Sequence, residues 1–268
     1  MRRARPRPIL CRRDLVLKTE LHSHSSDDPH DLIPYDTFQL IETAASQGYQ
    51  ALAITLHDRQ LDLEPCRTFA QARGVTLIPG IERTIDGRHV LLLNFPAAAA
   101  EAVRSFEDVR RLKASARGLV IAPHPFFPSS TCLRSLMRRH ADLFDAVEYN
   151  GMFTRSLNFN LPAERWAAER GLPMVGNGDV HRLSQLGTTW SLVDAAPHPD
   201  AICEAIRAGR VTVQATPHTA LTAAAIFGDM LAAHVRRTVL GRPASASQGA
   251  ASASRRSSDP RRVSATRL

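Results

Sequence analysis

From residue 15 to about residue 235, short apolar runs alternate with stretches of helical period, and this alternation most constrains the fold. The candidate strands are residues 15–20, 51–55, 76–79, 89–94, 120–123, 146–149, 174–176 and 188–193. Helices are expected over 35–47, 64–73, 101–116, 133–139, 162–170, 199–208 and 221–236. In the first of these helices, Phe38, Ile41 and Ala45 recur at three- and four-residue spacing, which puts them on one face. Gly48 then supplies a C-terminal stop. Repeated strand–helix–strand units predict a parallel α/β architecture, either a barrel or an open doubly wound sheet.

Charge divides the chain differently. Residues 1–14 hold six Arg and one Asp, and residues 236–268 hold eight Arg and one Asp. The formal charge of +8 therefore resides in the two ends, and residues 15–235 carry −4. This predicts a basic extension (1–14), a globular domain (15–235) and a disordered Ser/Ala/Arg-rich tail (236–268). The tails would be mostly solvated, with sequence-independent nucleic-acid contact as the other use of such charge. No apolar run approaches the ~18–20 residues that span a bilayer, and the Arg-rich start lacks the apolar stretch of a signal peptide. A cytoplasmic protein without membrane contact is expected. Cys11, Cys66, Cys132 and Cys203 are widely spaced and predict neither a zinc ribbon nor a disulfide framework.

The chemistry lies at the strand ends. His22 and His24 follow the first strand, and residues i and i+2 of an extended chain point to one side, where two imidazoles can chelate one ion. His57, Glu82, His124, Asp179 and His181 follow later strands, and His89 opens another. Six of the eleven histidines thus sit at strand edges. In a barrel these edges converge on one mouth, which favours the barrel over the open sheet. His140, His198, His218 and His234 fall outside the pattern.

The stretches Glu-Leu-His-Ser-His (20–24), Leu-Ala-Ile-Thr-Leu-His-Asp (52–58), Ile-Pro-Gly-Ile-Glu (78–82), His-Val-Leu-Leu-Leu (89–93), Ala-Pro-His-Pro (122–125), Val-Glu-Tyr-Asn-Gly (147–151) and Gly-Asp-Val-His (178–181) resemble, in order, the PHP (polymerase and histidinol phosphatase) superfamily. The resemblance covers roughly residues 16–215. It implies a distorted (β/α)7 TIM-like barrel holding two or three divalent ions. Its implied ligands are His22, His24, His57, Glu82, His89, His124, Asp179 and His181, with Glu82 bridging. A further ligand is expected shortly after His24, where Asp28 is favoured over His30 and Asp27. Leu56 stands where the family commonly has Asp, so one supporting carboxylate is expected to be missing. Glu148 matches a position that usually supports the site.

Imidazole with carboxylate suits Zn, Mn or Fe and argues against Mg alone. The implied activity is metal-dependent hydrolysis of a phosphomonoester or short oligonucleotide by activated water. Asp179 and His181 are the candidates for protonating the leaving group. Arg59 and Arg182 adjoin motifs and are candidate phosphate grips, and Asn94, Phe126 and Phe127 are candidate pocket residues. Two alternatives remain: a degenerate PHP module that binds metal or nucleic acid, and an amidohydrolase-like metallohydrolase. Amidohydrolases that bridge two metals use a mid-barrel lysine, and the lysines here, Lys18 and Lys113, fall elsewhere.

Overall fold

A computed structural model describes residues 16–240. The basic extension and most of the tail lie outside the described residues, so the nucleic-acid role considered for them does too. Nine strands form one sheet in the order β7-β6-β5-β4-β3-β2-β1-β8-β9. They are β1 (Val16–Glu20), β2 (Ala51–Ile54), β3 (Thr76–Ile85), β4 (Arg88–Leu93), β5 (Leu119–Ala122), β6 (Ala146–Asn150), β7 (Met174–Asn177), β8 (Thr189–Asp194) and β9 (Val211–Ala215). The helices are α1 (Thr37–Ser46), α2 (Glu64–Gln71), α3 (Ala97–Ala102), α4 (Phe106–Ser115), α5 (Leu136–Arg139), α6 (Leu161–Ala168), α7 (Pro199–Arg207) and α8 (Ala220–Leu240). No helix among the described residues is long and apolar enough to cross a membrane.

The sheet curls until its edges nearly meet. In the lower half, β7 lies against β8. Gly176 N–H donates to Ser191 Oγ at 2.8 Å, and that hydroxyl donates back to Gly176 O at 3.1 Å. A Cβ on Gly176 would sit 2.7 Å from Trp190 O, so only glycine permits this approach. In the upper half, the chain after β7 bridges to the chain after β1. His24 N–H donates to Val180 O and Val180 N–H to His22 O, both at 3.1 Å. The barrel is therefore closed around its upper mouth, which excludes the open sheet.

The parallel expectation holds for β1–β2–β3 and β5–β6–β7, whereas β4 pairs antiparallel with both neighbours. β3 and β4 form a hairpin that turns at Asp86 and Gly87, both at positive φ. The helix expected over 101–116 is two helices. Ser105 caps α4 by accepting from Asp108 N–H, while Asp108 accepts from Ser105 N–H, and this capping box starts a new helix after extended Val103. α8 runs on to Leu240, past Arg236, where the tail is expected to begin.

Alternating strand residues sort into two faces. Ala51, Ala53, Ile78, Leu91, Leu93, Leu119, Ile121 and Val175 fill the interior, and Ile202 and Ile206 of α7 plug its lower end. Outside, α1 and α2 cover β2, and α4 and α6 cover the other wall. Burying each such Leu or Ile contributes roughly 1.5–3 kcal/mol. This packed interior makes a rigid base for side chains at the mouth.

Candidate metal centre

Glu82 stands at the centre of the mouth, 1% exposed. Its Oε2 lies 3.1 Å from His22 Nε2, 3.3 Å from His24 Nε2 and 3.1 Å from His57 Nε2. Its Oε1 lies 2.6 Å from His89 Nδ1 and 3.2 Å from His124 Nε2. One carboxylate thus faces five imidazoles, three on one oxygen and two on the other. Asp179 Oδ1 adds a second acidic oxygen, 3.3 Å from His22 Nε2 and 3.6 Å from His24 Nε2. Metal-sized groupings result: His22, His24 and Asp179; His24, His57 and Glu82; and Glu82, His89 and His124.

Local folding explains the convergence. His22 and His24 lie on the extended chain after β1, with Ser23 between them turned outward to donate to Ala53 O. His57 and Glu82 are aligned by a bridge between the chain after β2 and β3. His124 and Asp179 take positive φ just beyond β5 and β7. His89 begins β4, and because β4 runs antiparallel its start arrives where its neighbours end.

Carboxylates behind the cluster orient the rings. Glu148, fully buried, accepts from His22 Nδ1 (2.8 Å), Asn177 Nδ2 (2.9 Å), His124 N–H (2.7 Å) and Asn150 Nδ2 (3.2 Å). Asp28 Oδ2 accepts from His24 Nδ1 at 2.9 Å and His57 Nδ1 at 3.0 Å, and Oδ1 accepts from His30 and Asp31 N–H. The structure therefore departs from the ligand role expected of Asp28: it lies on the far side of both rings, as carboxylates that fix imidazole tautomers do. It also supplies the support for His57 that Leu56 was expected to cost, Leu56 itself being packed in the core. The other two alternatives face elsewhere: Asp27 accepts from Thr37 Oγ1, and half-exposed His30 meets Asp58.

Electrostatics follow from this crowding. Burial disfavours charge on His22, His24 and His124, yet the surrounding Asp and Glu, and for His124 first the Cys132 sulfur and then Glu82 and Asp179, outweigh it and hold these imidazoles well above their ordinary pKa. Burial opposes ionisation of Glu82 and Asp179 as well, but the imidazoles hold both well below the usual carboxylate range. Burial pushes Glu20 up to about 8, although it accepts from the N–H groups of Gly178 and His22.

His181 departs from the grouping. Its Nε2 lies 3.1 Å from Asp31 Oδ2 and its Nδ1 3.0 Å from Asp179 O. Asp31, 32% exposed, and Asp179, 19% exposed, mark the opening to solvent. Sequence reasoning missed Asp31, Asn150, Asn177 and Cys132, whose Sγ lies 3.4 Å from His124 Nδ1. Only Asn150 and Asn177 carried a signal, as neighbours of site residues on strand ends. Asn94 lies at the opposite end of the barrel, bonded to Asp200, because β4 runs antiparallel. Phe126 packs into the core, while Phe127 stands 6.5 Å from His124. Arg182 is engaged with Asp229 O and Arg59 is exposed. The lower end holds a cavity of about 650 Å³ beside Lys113, Arg117, Asp200 and Arg207, remote from the histidines.

A profile of the PHP-associated family matches residues 158–211, the segment containing Asp179 and His181. Among solved structures, the chain is similar to a two-domain protein from Bacteroides vulgatus containing a predicted PHP-like metal-dependent phosphoesterase (20% identity, 75% of this chain and 65% of that one, TM-score 0.59). The fold is therefore the barrel shared with this PHP-like protein. PsfC from Pseudomonas syringae is also similar (16% identity, 84% and 99% covered, TM-score 0.53). So is the lesion-specific endonuclease EndoQ from Pyrococcus furiosus (16% identity, 79% and 66% covered, TM-score 0.50). The chain spans just under two thirds of the first and third of these proteins. No curated protein matches it in sequence.

Proposed function

We propose that this PHP barrel is a metal-dependent phosphoesterase that hydrolyses a phosphomonoester or short oligonucleotide with two or three ions of Zn, Mn or Fe. The observation that carries the reading is the Glu82 carboxylate flanked by five imidazole nitrogens. Two of those nitrogens, His24 Nε2 and His89 Nδ1, are buried and face Glu82 oxygens at 3.3 and 2.6 Å without a well-directed hydrogen bond. Ring nitrogens crowded on a buried carboxylate in this way are what divalent ions between these rings and Glu82 would satisfy. The donor set therefore fits the group.

His22, His24 and Asp179 would hold one ion and His89 with His124 another, Glu82 bridging them and His57. When bound, such ions lower the pKa of water toward ~7 and neutralise phosphate oxygens. The chain's own residues do the rest. Glu148 and Asp28 fix the imidazole tautomers. His181, flanked by the carboxylate of Asp31 and the Asp179 backbone carbonyl at the solvent opening, holds a proton for the departing oxygen, with Asp179 as its partner. Neither lysine reaches the mouth, since Lys18 caps Gln47 O and Lys113 pairs with Asp145, which disfavours a lysine-bridged amidohydrolase site.

The test is elemental analysis of protein purified without chelator, beside His57→Ala, followed by phosphoester turnover with added Mn. Two or three equivalents, reduced in the variant, together with turnover are the expected results. A wild type that takes up neither Mn nor Zn would sink the proposal.

A further inference from the structure

We propose that Phe127, backed by Phe159, determines leaving-group specificity by stacking on a planar aromatic ring attached to the phosphoester. This rests on the phosphoesterase reading and assigns its substrate class. Phe126 and Phe127 are sequence neighbours with different fates. Phe126 packs against the outer core, whereas Phe127 and Phe159 join none of the three apolar clusters among the described residues and stay half-buried. Their ring centroids lie 5.5 Å apart at 54°, a favourable tilted pair. Phe127 in turn lies edge-on to the imidazole of His124, at 6.5 Å. An aromatic surface therefore begins one ring's width from the metal centre.

Both rings sit on fixed backbone. Phe127 N–H donates to His124 O at 3.2 Å. Arg134, at positive φ, reaches back from Nε and Nη2 to Phe127 O, and its N–H donates to Pro125 O. Phe159 precedes Asn160, whose buried side chain accepts from Asn150 N–H at 2.8 Å and donates to Asn150 O at 2.9 Å. Asn150 also donates to Glu148 and Asp179, so the loop carrying Phe159 is tied to the frame of the metal centre. Two large apolar side chains withheld from the core and locked beside a polar centre form a preorganised platform, whose ordering cost is met before substrate arrives. A flat ring matches it better than an alkyl group, because aromatic faces and edges attract beyond the area they bury.

The test compares adenosine monophosphate with ribose phosphate, which share the phosphate and sugar and differ only in the ring. Turnover by the Mn-loaded protein and calorimetric binding are both measured, for wild type, Phe127→Ala, Phe127→Leu and Phe127→Trp. Metal content and Tm establish that each variant is folded and loaded. Wild type is expected to favour the ring-bearing compound by roughly 5- to 150-fold, mostly in KM and Kd, the range that stacking on one aromatic side chain supplies. The ratio should approach one in Phe127→Ala, stay low in Phe127→Leu and recover in Phe127→Trp. A merely structural Phe127 would weaken both compounds equally and leave the ratio unchanged, which overturns the proposal, as does a wild-type ratio near one. A binding preference without turnover overturns the phosphoesterase reading and leaves the platform standing.

Discussion

Replacing Glu148 by Gln tests whether the carboxylates behind the imidazoles build the centre. The carboxylate serves two donors on each oxygen: His22 Nδ1 and Asn177 Nδ2 on one, His124 N–H and Asn150 Nδ2 on the other. Glutamine keeps the shape but has one oxygen. Whichever way its amide turns, two buried donors face an NH2 group, at about 1–3 kcal/mol each. The fold should lose about 2–6 kcal/mol from a total of about 5–15 kcal/mol, leaving it weakened but present. Losing the carboxylate partner of a ligating imidazole should also weaken metal binding by about 10- to 100-fold. That corresponds to about 1.4–2.7 kcal/mol less metal-dependent stabilisation. At about 2–4 °C per kcal/mol for a domain of this size, the rise in Tm on adding Mn should shrink by roughly 3–11 °C. Thermal melts with chelator and with saturating Mn, plus chelator competition for affinity, read both numbers. A folded Glu148→Gln protein that binds Mn like wild type would refute the orienting role.

Three further outcomes follow from the same geometry. His22, His24 and His124 sit well above their ordinary pKa in the metal-free protein, so their stabilising contribution is full below the unfolded value near ~6.5 and is lost as pH rises through the folded values. Chelated protein should therefore lose stability toward alkaline pH while metal affinity rises, and Mn addition should release protons in a weakly buffered titration; parallel trends without proton release would contradict this. His89→Ala should lose about one metal equivalent and Glu82→Gln more than one by elemental analysis, because His89 belongs to one grouping whereas Glu82 belongs to two and faces imidazoles with both oxygens; equal losses would argue against a bridge. Gly118→Ala would place a Cβ 2.5 Å from the Phe95 ring, so it should cost about 1–3 kcal/mol in chemical denaturation without changing metal content.

Most strands were legible because each carries an apolar run ending in a polar residue, and that punctuation is also the site. The misreadings have local causes. The strand expected over 76–79 runs straight on through Gly80, and β3 continues to Ile85. Gly80 is there for close approach: a Cβ would lie 2.8 Å from both Leu93 and Thr55 side chains. β9 was missed because it is an edge strand whose residues are exposed or half-buried, leaving only Val211 and Val213 as a signal. At the mouth, the residues that converge were legible because His, Asp and Glu at strand ends form a chemically specific pattern. Which way Asp27, Asp28 and His30 turn was not, since a loop's folding rather than its composition decides direction. Asn150, Asn177 and Cys132 bring no metal chemistry of their own and became visible only through their partners.

The antiparallel β4 connects fold to chemistry most directly. In a strictly parallel barrel, the start of a strand lies at the end opposite the mouth, and a histidine opening the fourth strand would be lost to the site. The β3–β4 hairpin reverses that, pairing Thr84 with His89 and Glu82 with Leu91. It brings His89 Nδ1 to 2.6 Å from Glu82 Oε1 within one supersecondary unit. The other side is anchored separately, by the bridges that close the barrel between His22, His24 and Val180. Glu82 belongs to the hairpin yet reaches across to His22 and His24 with its second oxygen. The hairpin and the closing bridges thus both fix what Glu82 reaches, and Glu148 ties the same two sides from behind by accepting from His22 Nδ1 and His124 N–H.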